Sequence, residues 1–240
     1  MEKVDRIVNG ILNGIGLSLK RYPNREQRRL LQYLAEHSIH YLIDVGANEG
    51  QFGSSMLQAG FKGEILSFEP QAEAFTKLRK RAESTKNWKT FHFAMGDFDG
   101  QSELNIAGNS VSSSLLSMLP AHLNAAPKSV YVSRESIEVK KLETIYEGLM
   151  KEEYAFLKMD TQGFEMKVLK GAERILDKIV GIQLEMACHP LYDGEVLFDE
   201  MKAYLEGKDY FLSSLENGFY DKETGRLLQV DAVFLRELSQ

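Results

Sequence analysis

The residues with the most chemical content are carboxylates placed at the ends of short apolar runs. Asp44 lies in Tyr41-Leu42-Ile43-Asp44-Val45, which passes into Gly46-Ala47-Asn48-Glu49-Gly50. Glu69 closes Glu64-Ile65-Leu66-Ser67-Phe68, and Asp97 follows Gly96 after a third run. Asp160 and Glu165 follow a fourth, and Glu185 and His189 flank the end of a fifth. Such groups can accept hydrogen bonds from ribose hydroxyls, pair with a cation, or take a proton from a hydroxyl.

Two kinds of element must position them. Residues 41–45, 64–69, 90–94, 155–159 and 180–186 are apolar runs of strand length, separated by segments with helical spacing. Residues 51–59 read as a helix stopping at Gly60. Residues 71–83 bring Phe75, Leu78 and Ala82 to one face, and one helix carries Val168, Leu169, Ala172, Ile175 and Leu176. Residues 195–206 read as another. Asn24-Arg25-Glu26-Gln27 has the form of a capping box, with Leu30, Leu31 and Leu34 on one face after it. Residues 210–215 and 228–235 read as a closing antiparallel pair. Alternating strands and helices imply a parallel sheet covered on both faces, to which that pair adds one antiparallel strand. Residues 101–136 contain serine and glycine and are weakly periodic, so they read as a surface loop with a short hairpin, or as a mobile lid.

Strand, glycine-rich turn, helix, and a second strand ending in an acid form a layout that holds a nucleotide by its ribose. A dinucleotide turn would read G-x-G-x-x-G, but Asn48 stands at the middle glycine, and the nearby Asp44 would repel a pyrophosphate. An NAD-type oxidoreductase is therefore the weaker alternative. An acid in the turn suits a cofactor with a cation there, the amino-acid end and sulfonium of S-adenosyl-L-methionine. Glu69 is then placed for both ribose hydroxyls and Gly96-Asp97 for the adenine edge. The expected cofactor set is Asp44, Gly46, Asn48, Gly50, Glu69, Gly96, Asp97 and Asp160.

The motifs Asp44-Val45-Gly46-Ala47-Asn48-Glu49-Gly50, Phe68-Glu69-Pro70, Gly96-Asp97 and Leu157-Lys158-Met159-Asp160-Thr161-Gln162-Gly163-Phe164-Glu165 resemble FkbM-type methyltransferases. So does Val168-Leu169-Lys170-Gly171-Ala172. The resemblance covers about residues 40–190 in the family's order, and Lys-x-Asp-x-x-Gly-x-Glu is its specific part. It implies the class I methyltransferase fold, Rossmann-like, with a seven-stranded mostly parallel sheet, a terminal antiparallel strand and helices on both faces. It also implies S-adenosyl-L-methionine as donor and a hydroxyl of a small molecule, such as a sugar or polyketide, as acceptor. Residues 39–240 would form the methyltransferase domain, with 1–38 as an N-terminal helical extension.

Methyl transfer to an alcohol needs alignment and a base above the methyl group. Asp160 and His189 are the expected bases. Glu185 would orient His189 or the acceptor, and Glu165 would act as base or as a first-turn carboxylate favouring the helix dipole. Asp160, Glu185 and His189 could also hold a metal, but no tight ligand spacing supports this and none is expected. His37, His40, His92 and His122 lack a companion pattern and read as structural.

At 240 residues, 43% hydrophobic and 27% charged, the chain suits one α/β domain. A net charge of −6 argues against a nucleic-acid binder. A non-catalytic binding protein that kept the cofactor fold is the other alternative. Cys188 is the single cysteine, which excludes an internal disulfide and suits the cytoplasm. No segment approaches the ~20 apolar residues of a membrane span. Val4, Ile7, Val8, Ile11, Leu12 and Ile15 have helical spacing suited to packing on the domain, or on a second copy of the chain in a homo-oligomer.

Overall fold

A computed structural model describes residues 22–150 and 153–237, so the segment from Val4 to Ile15 lies outside the described residues. The chain begins with α1 (Arg25–Glu36), β1 (Tyr41–Val45), α2 (Gln51–Ala59), β2 (Glu64–Phe68), α3 (Ala72–Ala82) and β3 (Trp88–Phe91). It continues with β4 (Ala94–Met95), β5 (Gly100–Ala107), α4 (Pro120–Ala125), β6 (Tyr131–Lys140) and α5 (Leu142–Met150). After these come β7 (Ala155–Met159), α6 (Glu165–Lys170), β8 (Ile179–Ala187), α7 (Phe198–Glu206), β9 (Tyr210–Asn217) and β10 (Gln229–Arg236).

Local sequence explains the element ends. Asn24 caps α1 by accepting from Gln27 N at 2.7 Å, and Gln27 returns the bond by accepting from Asn24 N at 3.0 Å. Gly60 ends α2 in the left-handed conformation. Every residue of β1 is buried, as expected of a central parallel strand.

Seven strands form one sheet in the order β3-β2-β1-β7-β8-β10-β9. The first five run parallel, and β10 is antiparallel to both its neighbours. One face packs Leu42, Ile65 and Phe156 against α1, α2 and α3, and the other packs Ile43, Leu157 and Ile182 against α5, α6 and α7. The strand order reverses between β1 and β7, and this is where open α/β sheets bind ligands.

Three details depart from the sequence expectation. Residues 101–136 are largely not loop: β5 and β6 pair antiparallel from Gly100↔Val139 to Ala107↔Tyr131, with β4 beside β6 in a second, three-stranded sheet. Leu104, Ile106, Ile137 and Val139 give that sheet its own small core. The run 90–94 divides, because β3 ends at Phe91 and Ala94 joins the second sheet. The helix expected through Leu176 ends at Lys170, and a 3-10 turn follows at Glu173–Lys178. At the break, Gly171 passes the Gly96 carbonyl so closely that a Cβ would stand 1.8 Å from its oxygen. Among the described residues no helix is long and apolar enough to cross a membrane.

Candidate active site

The turn after β1 is a backbone cradle. Gly46 (φ +70°), Asn48 (φ 47°) and Gly50 (φ +84°) all adopt left-handed conformations. At Gly46 a Cβ would lie 1.9 Å from the Asp160 carbonyl oxygen, so the β1 and β7 turns touch through this glycine. Gly46 N and Ala47 N both donate to Phe68 O, at 3.0 and 3.1 Å, tying the turn to the β2 tip. Glu69 follows directly and is buried. Its carboxylate accepts from Asn48 N at 2.7 Å and Gln71 N at 2.8 Å. Burial pushes its pKa up to about 7, against those two backbone bonds.

A polar row crosses the sheet beneath the cradle. Strand register sets Asp44 opposite Ser67 on β2 and opposite Lys158 on β7. Asp44 is fully buried. Ser67 Oγ donates to its Oδ2 at 3.2 Å, and Trp88 Nε1 donates in turn to Ser67 Oγ at 2.9 Å. Asp44 Oδ1 has no hydrogen bond but stands 3.4 Å from Lys158 Nζ as an ion pair. Burial raises the Asp44 pKa, and Lys158 and Ser67 oppose the rise. Lys158 Nζ also lies 3.6 Å from Asp160 Oδ2. Burial works against this cation, yet Asp160, Asp44 and Glu185 around it hold its pKa above the usual lysine value.

Gln162 ties the β7 and β8 tips together. Its Nε2 donates to Asp160 Oδ1 and to Glu185 Oε2, each at 2.8 Å, and its Oε1 accepts from Tyr192 Oη at 2.7 Å. Ser114 Oγ donates to the Gln162 carbonyl at 2.7 Å, which anchors the segment between β5 and α4 on the same residue. Burial, with Asp160 and Asp231 nearby, raises the Glu185 pKa well above its ordinary value. Glu165 is also buried, and its Oε1 accepts from Thr161 N at 2.8 Å and Thr161 Oγ1 at 2.9 Å. Burial lifts its pKa to about 7.

These elements enclose a cavity of about 280 Å³ at the C-terminal ends of β1, β2 and β7. Of the residues singled out in the sequence, Gly46, Asn48, Glu69 and Asp160 line it, whereas Asp44 and Gly50 do not. Glu165, Glu185 and His189 are outside the lining, as are Gly96 and Asp97. Asp97 instead pairs with Lys167 Nζ at 2.9 Å. Among the described residues, no group of three or more His, Cys, Asp and Glu is placed to hold a metal ion. Lys158, Gln51, Gln71, Thr161 and Gln162 add further polar groups to the wall, and sequence reasoning gave none of them a role. A signal existed for Lys158, a lone cation inside the apolar run Phe156-Leu157-Lys158-Met159. Ser110, Ser113 and the buried Ser114 also line the cavity. Behind Phe52 lies a second cavity of about 210 Å³, between α1, α2 and strands β8, β9 and β10. Phe52 lines both, with Lys158 Nζ 5.6 Å from its ring centroid.

The family model for the methyltransferase FkbM domain matches residues 44–212. The chain is similar to the 2-O-methyltransferase NoeI of Sinorhizobium fredii (strain NBRC 101917 / NGR234), 24% identical over 174 residues, 70% of this chain and 72% of that protein. Among solved structures, the methyltransferase FkbM from Methylobacillus flagellatus KT superposes with a TM-score of 0.51 at 16% identity, covering 81% of this chain and 43% of that one. The chain thus spans less than half the length of that relative. An uncharacterized protein from Listeria monocytogenes serotype 4b gives a TM-score of 0.50 at 8% identity, over 90% and 69% of the two chains. These likenesses speak to the fold, which is that of the class I methyltransferases. With the family match running from Asp44 in β1 to β9, the chain belongs to the methyltransferase FkbM domain family.

Proposed function

We propose that this methyltransferase uses S-adenosyl-L-methionine and methylates a hydroxyl oxygen of a small molecule such as a sugar or a polyketide. The observation that carries the reading is one cavity wall with Glu69 at the β2 tip and the adjacent, oppositely charged Lys158 and Asp160 at the β7 tip. The residues present fit the donor. Glu69 would hold the ribose hydroxyls, since each carboxylate oxygen accepts one backbone bond and keeps further acceptor capacity. Lys158 would meet the carboxylate of the amino-acid end, with Asp44 and Asp160 holding the lysine in place. Gly46 keeps the backbone close without a side chain.

When bound, the donor supplies a methyl carbon activated by a sulfonium. The chain's own task is to align the acceptor, exclude water and remove a proton. Among the four expected acid–base residues, Asp160 alone lines the cavity, so it is assigned the hydroxyl proton. Gln162 and Lys158 hold one carboxylate oxygen each and fix its direction. Ser110 and Ser113 in the lining suit an acceptor rich in hydroxyls, and the NoeI relative is a 2-O-methyltransferase by name. The free, exposed Cys188 is in keeping with a reducing cytoplasm.

Thermal melts test the donor, and turnover on a panel of glycosides and polyketides tests the acceptor. S-adenosylhomocysteine is expected to raise the melting temperature and NAD to leave it unchanged. A melt indifferent to S-adenosylhomocysteine would remove the cofactor reading.

A further inference from the structure

Gln71 carries a polar atom that the fold leaves unused. It is the N-cap of α3, yet its side chain caps nothing. The first helical amide, Ala72 N, donates instead to Glu135 Oε2, reaching across from β6 at 3.0 Å. Gln71 is among the residues lining the cavity, and it is only 5% exposed. Its Oε1 is buried without a hydrogen-bond partner. A buried unpaired carbonyl destabilises the chain that carries it, so packing gives no reason for this one.

The surroundings define the missing donor. Strand order places Gln71, just after β2, on the far side of β1 from Asp160. At this end Phe68, Pro70, Met95, Leu104 and Leu115 form an apolar wall. A flat ring with apolar faces and an N–H at its edge fits that setting. The carboxylate expected at this edge from the sequence is committed elsewhere, because Asp97 is outside the lining and paired with Lys167.

We propose that Gln71 reads the adenine base of the donor, its Oε1 accepting from the exocyclic amino group. A glutamine amide is suited to this edge, since it offers an acceptor to the adenine amine and a donor to a ring nitrogen. The inference rests on the S-adenosyl-L-methionine reading above.

Calorimetric titration of the full chain with S-adenosylhomocysteine and with its analogue lacking the 6-amino group tests it. Wild type should prefer the amine-bearing ligand by about 10-fold or more, the usual effect of one buried hydrogen bond. In Gln71→Met that preference should vanish, while the unliganded variant melts no lower than wild type. Asp97→Asn should keep the preference. Gln71→Met retaining the preference, Asp97→Asn losing it, or a lower melt for unliganded Gln71→Met would each overturn the assignment. Failure of wild type to bind S-adenosylhomocysteine at all would overturn the cofactor reading, and this inference with it.

Discussion

Asp160 and Glu165 are neighbours in sequence, but they face different tasks. Asp160 lines the cavity, whereas Glu165 is turned inward to bond Thr161. Asp160→Asn is expected to lower kcat by roughly 10²–10⁴-fold, the range of a lost general base. Glu165→Gln should leave the rate nearly unchanged, because its contacts only shape the turn. Single-turnover transfer to an identified acceptor checks both, and a dead Glu165→Gln with a normal Asp160→Asn would reverse the assignment. Glu69→Ala should weaken S-adenosylhomocysteine binding at least ~10-fold, given charged hydrogen bonds of ~1.5–3 kcal/mol each. Unchanged affinity in a calorimetric titration would remove Glu69 from the ribose site.

At the scale of elements, the decisive contact is between the β1 and β7 turns. Gly46→Ala meets both a left-handed φ and the Asp160 carbonyl, so the two turns must part. The expected result is lost S-adenosylhomocysteine binding together with a destabilisation of about 1–3 kcal/mol, measured by titration and urea unfolding. An alanine variant that binds normally would mean the close approach is dispensable. The parallel strands were legible in the sequence because burial on both faces makes them continuous apolar runs, and α1 because Asn24 and Gln27 complete a capping box. The second sheet was not. Its strands β5 and β6 expose much of their length, and α4 and a long excursion separate them, so no tight-turn residues marked their pairing. Glu69 and Asp160 could be placed from strand ends alone. The partnering of Asp97 by Lys167, and of Asp160 by Gln162, depends on contacts between distant segments that no local pattern records.

The molecule as a whole concentrates its buried carboxylates toward the C-terminal ends of the central strands, and this has a pH signature. Folded Glu69 and Glu165 hold their protons up to about pH 7, above the ordinary carboxylate value of 4.5. Their stabilising contribution is therefore full below pH 4.5 and lost as pH rises through about 7. His122 acts in the opposite sense, since burial lowers its pKa from 6.5 to about 4. Its contribution is present above pH 6.5 and lost as pH falls toward 4. Above pH 6.5 the carboxylates act alone, so the unliganded protein should melt lower at about pH 8, each of the two withdrawing on the order of 1 kcal/mol. Glu165→Gln should flatten the slope, and a melting temperature that climbs over this interval would contradict the burial argument. Phe52, finally, is the one residue among those described that lines both cavities. It makes the length of the chamber a one-residue variable: Phe52→Ala would join the two spaces into a corridor running under α1. Such a variant should accept longer acceptors than wild type, and an unchanged size limit across a graded series would show the partition to lie elsewhere.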